Sequence, residues 1–248
     1  MGIFDIFGAS SILYIPGCFS SAKLKDRTDN YKKILKKIGI NHTTLPGFTC
    51  CSGILINAGY DKEARKLARE NLQLFQERGI KKIITSCPLC YKTLAYDYHN
   101  MLPDWDMEVE FILVTILNKL RDAPNLIRNP VEERIVYHDP CYLGRFSDIY
   151  NEPRELLRLL GYEIVELAYN KKDSLCSGSC GNLPITNKEL ANKIANDLIK
   201  YIKKTHINKI ITPDPQSFMH LKDNLEYEDI RIFEFSEILC EVLGIRKS

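Results

Sequence analysis

The sequence predicts an α/β protein made of two similar units in tandem, and two observations lead to this prediction. Short β-branched or aromatic runs alternate with longer amphipathic segments, as in parallel strands joined by helices. The segment KKIITSCPLCYKTL at residues 81–94 is echoed 127 positions later by NKIITPDPQSFMHL at residues 208–221. Because repetition over such a distance marks a duplicated unit, we expect tandem Rossmann-like βαβ units with parallel sheets, related by an approximate twofold axis.

The elements follow in the same order in both units. The strand SILYI at residues 11–15 corresponds to IVYH at 135–138, and KKIIT at 81–85 corresponds to NKIIT at 208–212. A helix is predicted from Asp61, its N-cap, to the C-terminal glycine Gly79, because apolar residues recur there at helical spacing. Each unit closes with a short strand and a helix, in MEVEFILVTILNKL and IRIFEFSEILCEVL. The predicted domains are residues 9–122 and 132–248.

The composition indicates an ordinary globular chain and argues against several classes of function. Its 248 residues are 45% hydrophobic with a formal net charge of +2 and no basic stripe, so we expect no nucleic-acid partner. No run of about 18 apolar residues is present, and the opening MGIFDIFG lacks the features of a signal peptide. We therefore expect a cytoplasmic protein without a transmembrane segment, whose nine cysteines are metal ligands or redox groups.

Five cysteines of the first unit lie in loops that follow predicted strands. Cys18 follows SILYIPG, the pair Cys50 and Cys51 follows HTTLPGFT, and Cys87 and Cys90 follow KKIITS. Because the carboxyl ends of parallel strands meet at one edge of a sheet, these thiols are expected to converge. Adjacent cysteines form a disulfide only through a strained ring, so two neighbouring thiols favour metal binding.

The cysteine spacing resembles a known pattern. Cys18 is followed after thirty-one residues by Cys50 and Cys51, and after thirty-five more by the C-x-x-C of Cys87 and Cys90. This resembles the cysteine-rich CCG domain of heterodisulfide reductase and of the iron–sulfur subunits of anaerobic glycerol-3-phosphate, glycolate and lactate dehydrogenases. Ser52 departs from the pattern because it separates the cysteine pair from a glycine, which we expect to alter a turn without removing a ligand.

The resemblance implies a function and a set of partners. It implies a non-cubane 4Fe-4S cluster held by the five cysteines, in an oxidoreductase subunit that passes electrons to or from a disulfide or a quinone. The chain has no C-x2-C-x2-C-x3-C run and no dinucleotide or flavin signature, so electrons are expected to come through other subunits. The expected partners are a flavoprotein and a ferredoxin-like iron–sulfur subunit, through which the protein would lie in the cytoplasm or at the membrane periphery.

A second class of function stays open at this point. Tetrahedral sulfur sites suit zinc as well as iron, so Cys87, Cys90 and two other thiols are also compatible with a structural zinc site. The chain would then be a non-catalytic binding module, stabilised by zinc or by a cubane cluster. Colour separates the two hypotheses, since a zinc protein is colourless.

The second unit keeps only part of the cysteine pattern. Cys141 and Cys176 stand at cysteine positions, whereas Ser177 replaces the second member of the pair and the segment 214–217, DPQS, replaces C-x-x-C. Cys180 is a candidate third thiolate, with Asp214 or a water as a fourth ligand. The two hypotheses are a second, labile cluster on Cys141, Cys176 and Cys180, and a degenerate site that only supports the fold.

Two further residues have an expected role. His138 lies at a strand end beside the Cys141 loop, where it would either supply a proton or orient the loop of a metal site. Cys240 lies between apolar positions of a predicted helix and is expected to be a small buried hydrophobic residue.

Overall fold

The first lobe, residues 12–122, contains a three-stranded sheet and seven α-helices within the residues that the structure describes. The structure is a computed structural model, and it describes residues 10–48 and 50–246. The strands are β1 (Ile12–Ile15), β2 (Lys82–Thr85) and β3 (Glu108–Phe111). The helices are α1 (Cys18–Lys23), α2 (Lys25–Lys37), α3 (Gly53–Asn57), α4 (Asp61–Glu77), α5 (Pro88–Lys92), α6 (Tyr98–Met101) and α7 (Ile112–Asp122), with a π-helical segment at Thr93–Asp97.

The second lobe, residues 133–242, repeats this arrangement after a 3-10 turn at Pro124–Leu126. Its strands are β4 (Glu133–Tyr137), β5 (Tyr162–Ile164), β6 (Lys209–Thr212) and β7 (Arg231–Glu234). Its helices are α8 (Asn151–Leu159), α9 (Leu183–Thr186), α10 (Lys188–Lys203), α11 (Pro215–Asp223) and α12 (Phe235–Val242), with a 3-10 turn at Lys171–Asp173.

Both sheets are parallel, and their strand orders correspond. The first sheet has the order β1-β2-β3, and the second has β5-β4-β6-β7. The repeated Ile-Ile-Thr strands β2 and β6 each lie between the opening and the closing strand of their lobe, which confirms the prediction of a duplicated α/β unit. In the place that corresponds to β5, the first lobe has a single parallel bridge between Leu13 and Thr43.

A shared apolar core joins the two lobes. Buried residues on one face of each sheet, among them Tyr14 and Ile211, belong to one cluster with apolar residues of α2, α7, α8 and α12. The opposite faces pack against separate clusters, one around Phe75 of α4 and one around Ile199 of α10. Strands whose two faces are both covered must be apolar on both sides. This requirement explains the short Ile-rich runs of the sequence.

The contacts between the lobes are reciprocal. Helix α2 packs against α12, and its counterpart α8 packs against α7, as an approximate twofold relation requires. Two polar contacts add to the first of these interfaces. Tyr31 donates a hydrogen bond to buried Glu234 at 2.7 Å, and Arg27 forms an ion pair with Glu237 at 2.7 Å. Because this core crosses between the lobes, the domain limits 9–122 and 132–248 stay a prediction.

Three smaller expectations have separate outcomes. Helix α4 has Tyr60 as its N-cap, so the prediction of Asp61 is wrong by one residue, and the Asp61 carboxylate lies in the first turn. The apolar opening MGIFDIFG lies outside the described residues. Among the helices of residues 10–48 and 50–246, none has the length and apolarity to cross a bilayer.

A buried ion pair stabilises the loop that follows β4. Arg154 of α8 donates two hydrogen bonds of 2.7 Å to the carboxylate of Asp139, and its side chain is only 2% exposed. The same guanidinium also donates to Glu166 and to the backbone oxygen of Tyr150. Such a bidentate contact fixes the orientation of the loop and neutralises the charge of the buried Asp139 carboxylate.

Replacement of Arg154 by leucine should strongly lower stability, because it leaves the Asp139 carboxylate buried without its cation. We expect a loss of about 3–5 kcal/mol in the free energy of unfolding, measured by urea denaturation. Arg134→Leu is the control, since Arg134 pairs with Glu163 at the surface and should cost below about 1 kcal/mol. Equal losses in the two variants would contradict the structural role of Arg154.

Candidate functional site

The five first-lobe cysteines lie at the carboxyl edge of the first sheet. Cys18 begins α1 three residues after the end of β1, and Cys87, the N-cap of α5, lies two residues after the end of β2. Cys90 lies within α5, while Cys50 and Cys51 precede α3. Cys18 is exposed, Cys50 and Cys87 are half-buried, and Cys51 and Cys90 are buried. The group therefore extends from the surface into the core of the lobe.

The structure brings all five of these thiols into one group. The Cys50 side chain interacts by hydrogen bonding with Cys18 and with Cys51. Cys51 in turn contacts Cys90, which contacts Cys87. Among the described residues, no three His, Cys, Asp or Glu side chains are arranged as ligands around a single metal ion. The thiols interact in neighbouring pairs instead.

Two glycines allow these loops to approach one another. A Cβ atom on Gly17, which has φ +85°, would lie 2.7 Å from the Cβ of Cys87 and 3.1 Å from its Sγ. A Cβ atom on Gly53 would lie 2.5 Å from the Thr93 Oγ1. Such distances leave no room for a side chain, so both loops can lie against the helical segment that begins with α5 only because glycine is present.

The turn after the cysteine pair has the same backbone form in both lobes. Ser52 has φ 67°, and its amide donates to the Cys50 Sγ at 3.4 Å. At the corresponding position of the second lobe, Gly178 has φ 85° and its amide donates to the Cys176 Sγ at 3.3 Å. Ser52 therefore occupies the left-handed position of a turn that both lobes share, and the ligand role of the neighbouring cysteine pair stays a prediction.

The crowding of the thiols changes their acidity. Hydrogen bonds lower the pKa of Cys50 well below its ordinary value, and the bond from Cys18 contributes more than the bond from Cys51. The same contacts raise the pKa of Cys18 and of Cys51, and contacts with Cys51 and Cys87 raise the pKa of Cys90. Like charges so close together disfavour ionisation, so ionisation of all five thiols would need positive charge nearby.

Sequence reasoning missed a buried amide that supports the cysteine pair. Asn71 of α4 donates to the backbone oxygen of Cys50 at 2.9 Å and to the Tyr98 hydroxyl at 2.9 Å. Asn71 is 3% exposed, and a polar residue at a core position of an amphipathic helix was the one signal that could have indicated it.

The second lobe keeps three thiols at the corresponding edge. The Cys141 and Cys180 Sγ atoms lie 3.0 Å apart, and Cys180 also interacts with Cys176. Hydrogen bonding from Cys180 lowers the pKa of Cys141 and lowers that of Cys176 to about 6. The structure therefore brings the three predicted cysteines of this lobe together.

Serines occupy the two buried cysteine positions of the second lobe. Ser177 corresponds to Cys51 and Ser217 to Cys90, and their hydroxyls lie 2.8 Å apart. The Ser179 hydroxyl is 2.9 Å from that of Ser177 and 3.2 Å from that of Ser217. Asp214, at the position of Cys87, accepts from the amide and the hydroxyl of Ser217 at 2.9 and 2.6 Å. Burial raises the pKa of its carboxyl.

His138 directly follows β4 and is 1% exposed. Its Nδ1 is 3.3 Å from the Thr212 Oγ1, and its Nε2 is 3.2 Å from the backbone oxygen of Leu175. Burial lowers the pKa of the imidazole. A buried ring with both nitrogens engaged connects the strand ends to the Cys176 loop. Cys240 is fully buried, as expected.

A cavity of about 400 Å³ lies between the lobes beside Cys18. Phe19 and Ile54 line it from the first lobe, and Met219 and Ile185 line it from the second. Ile185 is 85% exposed, which is unusual for so large an apolar side chain. A second cavity, of about 670 Å³, reaches Cys18 from the side of α2. The exposed thiol of the group is therefore accessible to small molecules.

Two parallel α/β lobes with cysteines in the loops after their strands define a tandem cysteine-rich protein. The chain belongs to the family of the cysteine-rich CCG domain, which matches residues 12–95 and 135–222. The resemblance inferred from the cysteine spacing is thereby confirmed.

Several named proteins are similar to this chain. A component of the dihydromethanophenazine:CoB--CoM heterodisulfide reductase of Methanosarcina barkeri is 28% identical, over 96% of this chain and 60% of its own length. A component of the fumarate reductase (CoM/CoB) of Methanothermobacter marburgensis is 29% identical, over 93% and 46%. EtfAB:quinone oxidoreductase of Syntrophomonas wolfei is 26% identical, over 87% and 32%. The chain thus spans at most 60% of each of these relatives.

Solved structures show a weaker likeness. The glutamate racemase of Aquifex pyrophilus is 16% identical and has a TM-score of 0.36, over 94% of this chain and 82% of its own. The glutamate racemase of Campylobacter jejuni is 11% identical with a TM-score of 0.36, over 94% and 84%. Scores this low carry no conclusion about function.

Neighbouring positions after the cysteine pair should respond differently to substitution. Gly53→Ala places a Cβ against Thr93 and should lower the free energy of unfolding by about 1–3 kcal/mol. Ser52→Gly keeps the left-handed turn and should leave stability within about 1 kcal/mol, because relief of strain offsets greater chain flexibility. Urea denaturation measures both. A Ser52→Gly loss as large as that of Gly53→Ala would contradict this account of the turn.

Proposed function

We propose that this chain is an iron–sulfur redox subunit of an oxidoreductase complex, with its metal centre in the first lobe. The observation that carries the proposal is the convergence of Cys18, Cys50, Cys51, Cys87 and Cys90 into one group in which neighbouring thiols interact. Some relatives are named as iron–sulfur proteins, among them MJ0092 of Methanocaldococcus jannaschii. Their names support an iron–sulfur cluster as the cofactor.

The donor set fits a multinuclear iron–sulfur centre. All five side chains are sulfur donors, and thiolates are the usual ligands of such clusters. Five exceed the four that a tetrahedral zinc ion or a cubane cluster uses, and two of the five are adjacent in the chain. We therefore infer a 4Fe-4S cluster of the non-cubane type, which would supply one-electron chemistry when bound.

The residues of the chain determine how such a centre is held and reached. Cys51 and Cys90 lie in the core, so they would shield one side of the centre from water. Cys18 is exposed beside the cavity between the lobes, so an acceptor would approach from that side. The apolar lining of Phe19, Ile54 and Met219 suits a small acceptor with apolar character, and we propose a disulfide or a quinone.

Partners are part of the same proposal. The relatives include subunits of heterodisulfide and fumarate reductases, as their names state. We propose that electrons reach this chain through a flavoprotein subunit and a ferredoxin-like iron–sulfur subunit, in the cytoplasm or at the membrane periphery. Purification under anaerobic conditions with the natural partners, followed by flavin analysis, tests this part of the proposal.

The cluster should depend on the buried member of the cysteine pair. Cys51→Ser should lose most of the iron and acid-labile sulfide of the anaerobically reconstituted protein, and its absorption and electron paramagnetic spectra should be lost or converted. Cys240→Ala is the matched control, because it removes a buried thiol outside the motif and should leave iron, sulfide and spectra unchanged.

Two results would contradict the proposal. A Cys51→Ser protein with full iron, full sulfide and an unchanged spectrum would show that the cysteine pair is not a ligand pair. A colourless wild-type protein with one equivalent of zinc and no labile sulfide would instead support the non-catalytic binding module.

A further inference from the structure

The second lobe lacks the donor set for a five-thiolate centre. Of the five corresponding positions, only Cys141 and Cys176 are cysteines. Ser177 and Ser217, at the two buried positions, donate and accept within a network of hydroxyls that Asp214 completes. Their hydrogen bonds are already satisfied within the protein, and serine hydroxyls are not the thiolate ligands that iron–sulfur clusters use. The two buried cysteine positions of the first lobe are thus filled by hydroxyls in the second.

The remaining thiols of this lobe are arranged for a different chemistry. The Cys180 Sγ lies 3.0 Å from the Cys141 Sγ, although the two residues are 39 positions apart in the chain. Both thiols are half-buried, so each keeps contact with solvent. Two thiols at this separation need only a small movement to form a disulfide bond.

Specific hydrogen bonds hold the two loops that carry these thiols against each other. The Ser174 hydroxyl donates to the backbone oxygen of Asp139 at 3.0 Å, and the Lys171 amide donates to the Asp139 carboxylate at 2.8 Å. The His138 ring reaches the backbone oxygen of Leu175 at 3.2 Å. The thiol pair therefore lies on a rigid support, as a preorganised reactive pair requires.

We propose that Cys141 and Cys180 form a redox-active dithiol that exchanges with low-molecular-weight disulfides. One cysteine, as its thiolate, attacks a sulfur of the disulfide RSSR, forms a mixed disulfide and releases one RSH. The second cysteine then attacks the protein sulfur of that mixed disulfide and releases the second RSH. The protein loses two electrons and two protons in becoming a Cys141–Cys180 disulfide, and RSSR is reduced to two RSH.

The position of the pair connects it to the cavity between the lobes. Ser179 and Asn182, on either side of Cys180 in the chain, line the cavity that Cys18 lines from the first lobe. A disulfide small enough for this cavity would therefore lie beside Cys18 and beside the loop that carries Cys180. The exchange reaction itself does not rest on the proposed iron–sulfur function, because it uses only second-lobe residues.

Peptide mapping of the full-length protein tests the proposal directly. The anaerobically purified protein is treated with 2-hydroxyethyl disulfide, blocked with N-ethylmaleimide and digested with trypsin without reduction. Trypsin places Cys141 in the peptide of residues 135–145 and both Cys176 and Cys180 in the peptide of residues 173–188. We expect these two peptides to become linked, and dithiothreitol to separate them again.

Matched variants assign the bond. Cys180→Ser should abolish the linked peptide, whereas Cys176→Ser should retain it, and both should keep the iron and sulfide content of the wild type. A wild-type protein whose two peptides stay unlinked and fully blocked overturns the proposal. So does a loss of iron in Cys141→Ser or Cys180→Ser, which would indicate a second metal site on these residues. Iron-free wild-type protein that still forms the link would instead contradict only the proposed function.

Discussion

The close approach of Gly17 to Cys87 is the constraint on which the first-lobe site depends. β1 and β2 are adjacent parallel strands in register, with Ile15 opposite Thr85, so the loops after them leave the sheet side by side. A side chain at position 17 would lie 2.7 Å from the Cys87 Cβ and would separate those loops. Convergence of the thiols is therefore a consequence of sheet topology together with a missing side chain.

The two lobes show how one backbone can hold two kinds of chemistry. Both have the left-handed turn at the corresponding position, at Ser52 and at Gly178. The first lobe fills the enclosed volume with the sulfur atoms of Cys51 and Cys90, whereas the second fills it with hydroxyls. The two lobes keep the same fold but differ in the chemistry of their sites. The backbone requires only that side chains fill the volume between the loops.

The interface between the lobes relates the two sites to each other. The shared core of α2, α7, α8 and α12 holds the sheets together and is largely apolar. At its edge, Asn57 of α3 donates to the Tyr142 hydroxyl at 2.6 Å, which joins the loop after Cys51 to the loop after Cys141. A displacement of either segment would thus strain the hydrogen bond that links it to the other. The cavity beside Cys18 lies between the lobes.

The sequence by itself determined the order of elements, the duplication and the identity of the clustered thiols, because periodicity and spacing are local or repeated signals. It also indicated that Ser177 and Ser217 replace cysteines. Only the tertiary structure decided that these serines hydrogen-bond to each other, that Arg154 reaches Asp139, and that the Cys141 and Cys180 Sγ atoms lie as close as 3.0 Å. Such contacts join side chains that are far apart in the chain. Their distances depend on how strands and helices pack, and no local or repeated pattern in the sequence reports that packing.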